Sequence, residues 1–175
     1  NLEALTALTY THENKIDIIY IDPPYNTGKK DEFKYNDRYV DSEDGYRHSK
    51  WLSFMNKRLS IAKQLLTKNG LIFVSIDDNE IGPLRMLMDE HFDHTNNPKE
   101  SNRLATLVWH LGTGTQAGHF TRQHEYVLAY CKNKDLLTGL IAPFTFIFTA
   151  GWWCFTGTRA AQTAWSTIGF QTAST

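Results

Sequence analysis

Four consecutive residues, Asp22-Pro23-Pro24-Tyr25, place a carboxylate, a stiffened backbone and an aromatic ring in one short stretch. Two prolines in series fix φ and remove two backbone donors, so the stretch offers carbonyl oxygens without competing N–H groups. Asp22 adds a carboxylate acceptor beside the Pro23 carbonyl, and Tyr25 adds a flat amphipathic ring at the same rim. Two acceptors and a platform suit a planar base with an exocyclic amine: the acceptors take its two N–H hydrogens and the ring stacks on its face. An aromatic amine is a poor nucleophile because its lone pair is delocalised into the ring. Holding both hydrogens pulls the nitrogen toward sp³ geometry and stabilises the positive charge that develops as it attacks a methyl group. In an arbitrary protein an Asp before prolines is most simply a turn residue. With each residue type at about 5% of usage, a chance D-P-P-Y in a chain of this size is on the order of one in a thousand.

Such a loop needs a strand to present it. Ile16-Asp17-Ile18-Ile19-Tyr20-Ile21, preceded by Leu2, Leu5 and Leu8 at helical spacing, is the β-branched run expected of a strand covered on both faces. Parallel α/β sheets bind ligands beyond the carboxyl ends of their strands, which is where Asp22 falls. Apolar residues at 51, 52, 55, 59, 62 and 66 predict a helix ending at Asn69-Gly70, with Gly70 as a left-handed C-cap. Leu71–Ile76 reads as the next buried strand, and Asp78 or Asn79 is expected to cap a second helix with Ile81, Leu84, Met88 and Phe92 inside. Thr106–Trp109 and Tyr126–Tyr130 are expected to pair antiparallel across a glycine-rich connection containing Gly112, Gly114 and Gly118. The order β-α-β-α-β-β predicts an α/β fold whose parallel strands end in an antiparallel edge hairpin.

Composition narrows the partners. The 175 residues are 41% hydrophobic and 21% charged, which excludes a disordered chain, and 18 Lys+Arg against 19 Asp+Glu give a net charge of −1. No global positive field advertises a nucleic-acid partner, so any such function rests on a site. Cys131 and Cys154 form neither a disulfide framework nor a zinc cage, which makes a reducing cytoplasm the default. His91 and His94 lack partners for a metal set and read as the exposed end of a helix; no metal is expected. Lys57, Arg58 and Lys63 read as the solvated face of the preceding helix. Residues 29–50 carry six Lys/Arg and six Asp/Glu, which cancel, and read as a mobile loop over the site rather than a DNA clamp.

The motifs together resemble a known family. D-P-P-Y followed by Asn26-Thr27-Gly28 resembles motif IV of the amino-group DNA methyltransferases, in the adenine-N6 form, since cytosine-N4 relatives usually place Ser first. Asn1–Leu5, Tyr46–Leu52, the run G-L-I-F-V-S-I-D-D-N-E from Gly70 to Glu80, and His124-Glu125-Tyr126 resemble the modification subunit of type III restriction-modification systems, which are β-class enzymes. The resemblance implies a partial Rossmann-like domain using S-adenosylmethionine to methylate a flipped adenine in double-stranded DNA. It also implies a restriction subunit as partner, no membrane, a cytoplasmic location and a capacity to form a homodimer when intact. By motif, Asp22, Pro23 and Tyr25 would be catalytic and Pro24 would shape the loop. Asp77 and Asp78 would line the rim of the cofactor pocket, and His124 and Tyr126 would lie near the base. The alternatives are an N-methyltransferase acting on an RNA base or a protein glutamine, and a non-catalytic remnant.

Two features depart from the family pattern. The F-x-G-x-G cofactor motif is expected after the DNA-reading region, and Phe155-Thr156-Gly157-Thr158-Arg159 lacks its second glycine. All 19 acidic residues and 17 of the 18 Lys+Arg fall in 1–135, while 136–158 is 23 consecutive uncharged residues. That run is long enough to span a bilayer, but Pro143 and five Thr argue against a span. Residues 1–135 therefore read as the catalytic part and 136–175 as an atypical tail, truncated or frame-shifted, with the start falling mid-protein. Activity of this chain alone is not expected.

Overall fold

The computed structural model describes residues 2–29, 32–35, 38–93, 95, 97, 100–117, 119–137 and 153–155. A five-stranded sheet is built from β1 (Ile16–Ile21), β4 (Leu66–Ile76), β5 (Arg103–Ala117), β6 (Phe120–Cys131) and β7 (Trp153–Phe155). The spatial order is β5-β6-β4-β1-β7. β1 and β4 run parallel, with Ile18 opposite Leu71 and Ile21 opposite Val74, and the other neighbouring pairs are antiparallel. Helices α1 (Leu2–His12), α2 (Arg47–Leu65) and α3 (Ile81–Phe92) complete the framework. This is the expected α/β arrangement with its edge hairpin: Thr106 stands opposite Leu128 and Val108 opposite Tyr126. β7, three residues of the low-charge tail, pairs with β1 on the other side; the remainder of the tail lies outside the described residues.

The helices share one face of the sheet. Trp51, Met55, Leu59, Ala62 and Leu65 of α2 pack with Leu84, Met88 and Phe92 of α3 against Ile72, Val74, Leu128 and Tyr130. The alternate residues of the strands, Leu71, Phe73, Val127, Ala129 and Cys131, form a second cluster on the opposite face, joined by Tyr20, Leu104, Ala105 and Leu137. The period of two thus separates two apolar faces, as in a strand buried on both sides. Burial pushes the Cys131 thiol up to about 11, so this cysteine packs rather than reacts. No helix among the described residues is long and apolar enough to cross a membrane.

Four local expectations are corrected. Gly70 does not cap α2. The helix ends at Leu65, and Leu66 turns directly into β4 at φ −64°, ψ 137°. The last carbonyls are taken instead by the backbone N–H groups of Asn14 (to Gln64, 3.0 Å) and Lys15 (to Leu65, 3.0 Å), so no left-handed residue is needed. Gly70 serves close approach, since a Cβ there would lie 2.8 Å from Leu66 Cδ2 and 3.1 Å from the Thr67 carbonyl. Nor does Asp78 or Asn79 cap α3. The Asp77 carboxylate accepts from the Asn79 N–H at 2.9 Å, and this turn delays the helix until Ile81, with Glu80 at the N-cap position and no side-chain cap bond.

The glycine-rich connection is strand, because β5 runs to Ala117. The register shifts between His110 and Thr115, where Gly112 takes φ +73°, as a bulge requires, and Gly118 lies outside the described residues. The face holding Lys57, Arg58 and Lys63 is only partly solvated. Arg58 is buried over the Phe54 ring, donates to the Phe54 carbonyl at 2.8 Å, and has its pKa lowered by burial, while Lys63 reaches the His91 carbonyl. In the charge-balanced segment after residue 28, a short hairpin of β2 (Lys34–Tyr35) and β3 (Arg38–Tyr39) is held by buried Phe33 and Val40, with Phe33 edge-on to Phe54 at 5.1 Å.

Leu59 is fully buried at the centre of the helix-covered face. Leu59→Ala is expected to lower stability by about 2–5 kcal/mol, read as an earlier urea midpoint at unchanged slope. A loss below about 1 kcal/mol would mean that α2 does not carry this core.

Candidate active site

The loop after β1 is held by side chains from the elements around it. Trp51, in the first turns of α2 and fully buried, donates its indole N–H to the Pro24 carbonyl at 2.6 Å. Ser75, next to last in β4, donates its hydroxyl to Asp22 Oδ1 at 2.7 Å. Tyr25 donates its phenol to Glu125 Oε2 on β6 at 3.2 Å. Asn26 adopts φ +58° and is buried; its amide donates to Glu80 Oε1 at 2.5 Å, and His48 Nδ1 lies 2.6 Å from the same oxygen. Pro23 is buried, and among the described residues no hydrogen bond to its carbonyl is seen, unlike that of Pro24.

Acidic groups gather at this lip. The β4–β6 register ends at Ile76 opposite Tyr126, so the next residues along, Asp77 and Glu125, face each other across the strand ends. Burial raises the Glu125 carboxyl above its ordinary value, against the Tyr25 hydrogen bond, and the charges of Asp22 and Asp77 push it up further. Burial likewise pushes the Tyr25 phenol far above its usual range, against the Ser75 hydroxyl, with Asp22 and Glu125 adding to the rise. Tyr25 is therefore protonated at every working pH and acts as a donor. Tyr20 is raised by burial as well.

Of the residues singled out from sequence, Asp22, Pro23, Pro24 and Tyr25 occupy the carboxyl end of β1, and Asp77 and Asp78 the adjoining end of β4. Asp77 is buried and turned onto Asn79, whose backbone and side-chain N–H groups both donate to it, whereas Asp78 is exposed. His124 and Tyr126 bond each other at 2.9 Å, with rings edge-on at 5.1 Å. By strand alternation they leave β6 on the face opposite to Glu125. Glu125, between them, is the residue of H-E-Y that reaches the loop. Period-two counting from the pairing of this strand could have found it. Ser75 and Trp51 also escaped functional notice, since each reads as one more residue of a strand or a helical stripe. His91 sits 2.6 Å from Asn56 Oδ1, and His94 lies outside the described residues, as do Thr156–Arg159 of the degenerate glycine motif.

Residues 16–165 match the family described as DNA methylase. The type III restriction-modification enzyme EcoP15I Mod subunit of Escherichia coli is 37% identical over 160 residues, covering 78% of this chain and 24% of that protein. The probable type III enzyme HindVI Mod subunit of Haemophilus influenzae is 41% identical over 140 residues, covering 78% of this chain and 17% of that protein. The chain thus spans a quarter or less of the length of these relatives. Among solved structures, the PvuII cytosine-N4-specific DNA methyltransferase superposes with a TM-score of 0.51 at 11% identity, over 75% of this chain and 47% of that one, which is a likeness of fold.

The raised Glu125 carboxyl has a sign-definite consequence for stability. An acid whose folded pKa exceeds its unfolded one costs stability as pH rises through the unfolded value, and the cost is complete above the folded value. Glu125→Gln, which keeps an acceptor for Tyr25 without the charge, is therefore expected to stabilise the protein at neutral pH relative to wild type. That advantage should shrink as pH falls from above the raised folded value to the ordinary carboxylate range, and be lost below it. Parallel denaturation series at acidic and neutral pH check this, and a pH-independent difference would contradict it.

Proposed function

Because the chain belongs to the DNA methylase family, we propose that it forms the methyl-accepting part of a site-specific DNA adenine-N6 methyltransferase, which uses S-adenosylmethionine to methylate a flipped adenine. The observation that carries this reading is the D-P-P-Y loop at the carboxyl end of β1. Its Pro24 carbonyl is engaged by Trp51 and one oxygen of Asp22 by Ser75. The second Asp22 oxygen and the Pro23 carbonyl then accept the two N6 hydrogens, while the Tyr25 ring stacks on the purine. Taking both hydrogens into acceptors favours the pyramidal nitrogen of the transition state over the planar one of free adenine, so the bonds strengthen as the nitrogen attacks. As positive charge builds on N6, the carboxylates of Asp22 and Asp77 stabilise it, and an oxygen of Asp22 holds the surplus proton.

S-adenosylmethionine supplies the electrophilic methyl group when bound. Its sulfonium and ammonium are cationic, and the carboxylates of this lip fit such a group electrostatically. Asp78, exposed at the end of β4, is the residue assigned to contact it, with Asp77 contributing charge from its turn. No glycine-rich strand-to-helix loop occurs among the described residues, so the described part supplies the amine side of the reaction. Resemblance to the EcoP15I and HindVI Mod subunits supports double-stranded DNA as substrate, a restriction subunit as partner and action in the cytoplasm. Homodimerisation of the intact protein belongs to the same reading.

Incubating the full-length protein with tritiated S-adenosylmethionine and unmethylated bacterial DNA, then digesting to nucleosides, is expected to yield N6-methyladenine. Asp22→Ala should lower kcat by about 100- to 1,000-fold, the effect of removing one charge-matched hydrogen-bond partner from a reaction centre. Undiminished activity in that variant would remove the acceptor role. A product found only in RNA or on a glutamine amide would replace the substrate assignment.

A further inference from the structure

We infer that Glu125 is a positioning residue for methyl transfer, acting through the Tyr25 hydroxyl to set the plane on which the target adenine stacks; this deepens the reading above and rests on it. The argument begins with what Tyr25 lacks. It follows two prolines that have no N–H, so the backbone before it cannot be tied into the sheet by its own donors. Its ring packs at the edge of the helix-side core with the Ser75 hydroxyl near the phenol, and a stacking partner must keep its tilt if N6 is to stay in line with the methyl group. The phenol is the ring's far end, and its bond to Glu125 Oε2 at 3.2 Å fixes that tilt. The anchor is rigid because Glu125 belongs to β6, paired on one side with Trp109 of β5 and lying one residue past the last pair with β4.

The bond also joins groups 100 positions apart in the chain, so it is a tertiary device rather than a local cap. Glu125 keeps a carboxylate close to Asp22 and Asp77, in a setting that raises its proton affinity. A side chain needed only to fill space would do so without that cost. His124 and Tyr126 bond each other, and Glu125, between them, accepts from Tyr25 of the loop.

The test is a double-mutant cycle in the full-length protein, following N6-methyladenine formation on unmethylated bacterial DNA. Tyr25→Phe keeps the ring and deletes the hydroxyl. Glu125→Ala deletes the acceptor, and Glu125→Met does so while keeping the side chain's bulk, which covers the case in which the alanine variant does not fold. Each single variant is expected to lose about 10- to 100-fold in kcat with KM for DNA within about threefold, because misplacement acts on the attack rather than on binding. Combining Tyr25→Phe with Glu125→Met should cost no more than the worse single change, and Glu125→Gln should recover most of the rate. Multiplicative losses in the double variant would overturn the inference by showing that Glu125 acts independently of Tyr25. Wild-type kcat in Glu125→Met, or a loss confined to KM, would overturn it as well. Failure of the adenine reading is seen separately, as an active Asp22→Ala variant or a product other than N6-methyladenine.

Discussion

The structure around the site depends on a shortage of backbone donors. A strand that ends in two prolines leaves a loop that cannot be tied down by N–H groups, although its carbonyls still need partners or solvent. The chain answers with side chains from α2, β4 and β6: Trp51 on the Pro24 carbonyl, Ser75 on Asp22 and Glu125 on Tyr25. Each of those residues is carried by an element whose own position is set by the core, so the loop inherits the rigidity of the sheet and of α2. Pro23 is itself buried, and no hydrogen bond to its carbonyl is seen among the described groups.

The segment just beyond the loop shows the same logic at greater cost. Asn26 is in the left-handed region and buried, and it is held by Glu80, a carboxylate with no exposure. One Glu80 oxygen serves both Asn26 and His48, while the other, Oε2, is buried without a hydrogen-bond partner among the described residues. An incompletely satisfied buried carboxylate is expensive. Its position between the β4–α3 turn, the start of α2 and the residue after Tyr25 makes it the joint that ties three segments to the loop. The delayed start of α3 belongs to this arrangement, since Glu80 is turned inward instead of serving as a helix cap.

Much of this was legible in the residues alone because apolar periodicity is a strong signal. The β-branched run of β1, the stripe through Trp51, Met55, Leu59 and Ala62, and the pairing of Thr106–Trp109 with Tyr126–Tyr130 all stand where their spacing puts them. Where spacing and structure differ, one cause recurs. Gly70, Asp78 and Asn79 have the local preferences of helix ends, yet in the folded chain more distant groups supply what local caps would supply: Asn14 and Lys15 at the end of α2, and Asp77 at the turn before α3. The charge of Arg58 predicts solvation, but the aromatic ring beneath it holds it against the core. The D-P-P-Y loop announced itself by composition, but Glu125 did not, since its significance comes from facing Tyr25 across 100 positions of sequence.

That pairing in turn hangs on register. A slip of β6 by one residue would exchange Glu125 for His124 or Tyr126 at the lip and would turn every side chain of the strand to the other face. Hydrophobic patterning resists such a slip only weakly here, because both faces of β6 are apolar: Leu128 and Tyr130 on the helix side, Val127 and Ala129 on the other. Polar contacts at the opposite end of the strand supply the missing specification. The Lys132 N–H donates to the Gly70 carbonyl at 2.9 Å, its amine reaches the Leu66 carbonyl at 2.7 Å and Asn14 Oδ1 at 2.9 Å, and the Cys131 N–H donates to the Asn102 carbonyl at 2.9 Å. Lys132 thus locks β6 against the start of β4 and against the turn that closes α2. Counting from that lock places Glu125 one residue past the last β4–β6 pair, across from Asp77 and within reach of Tyr25. The alignment of the acidic lip is therefore set at the far end of the sheet, by a lysine that takes no part in the site.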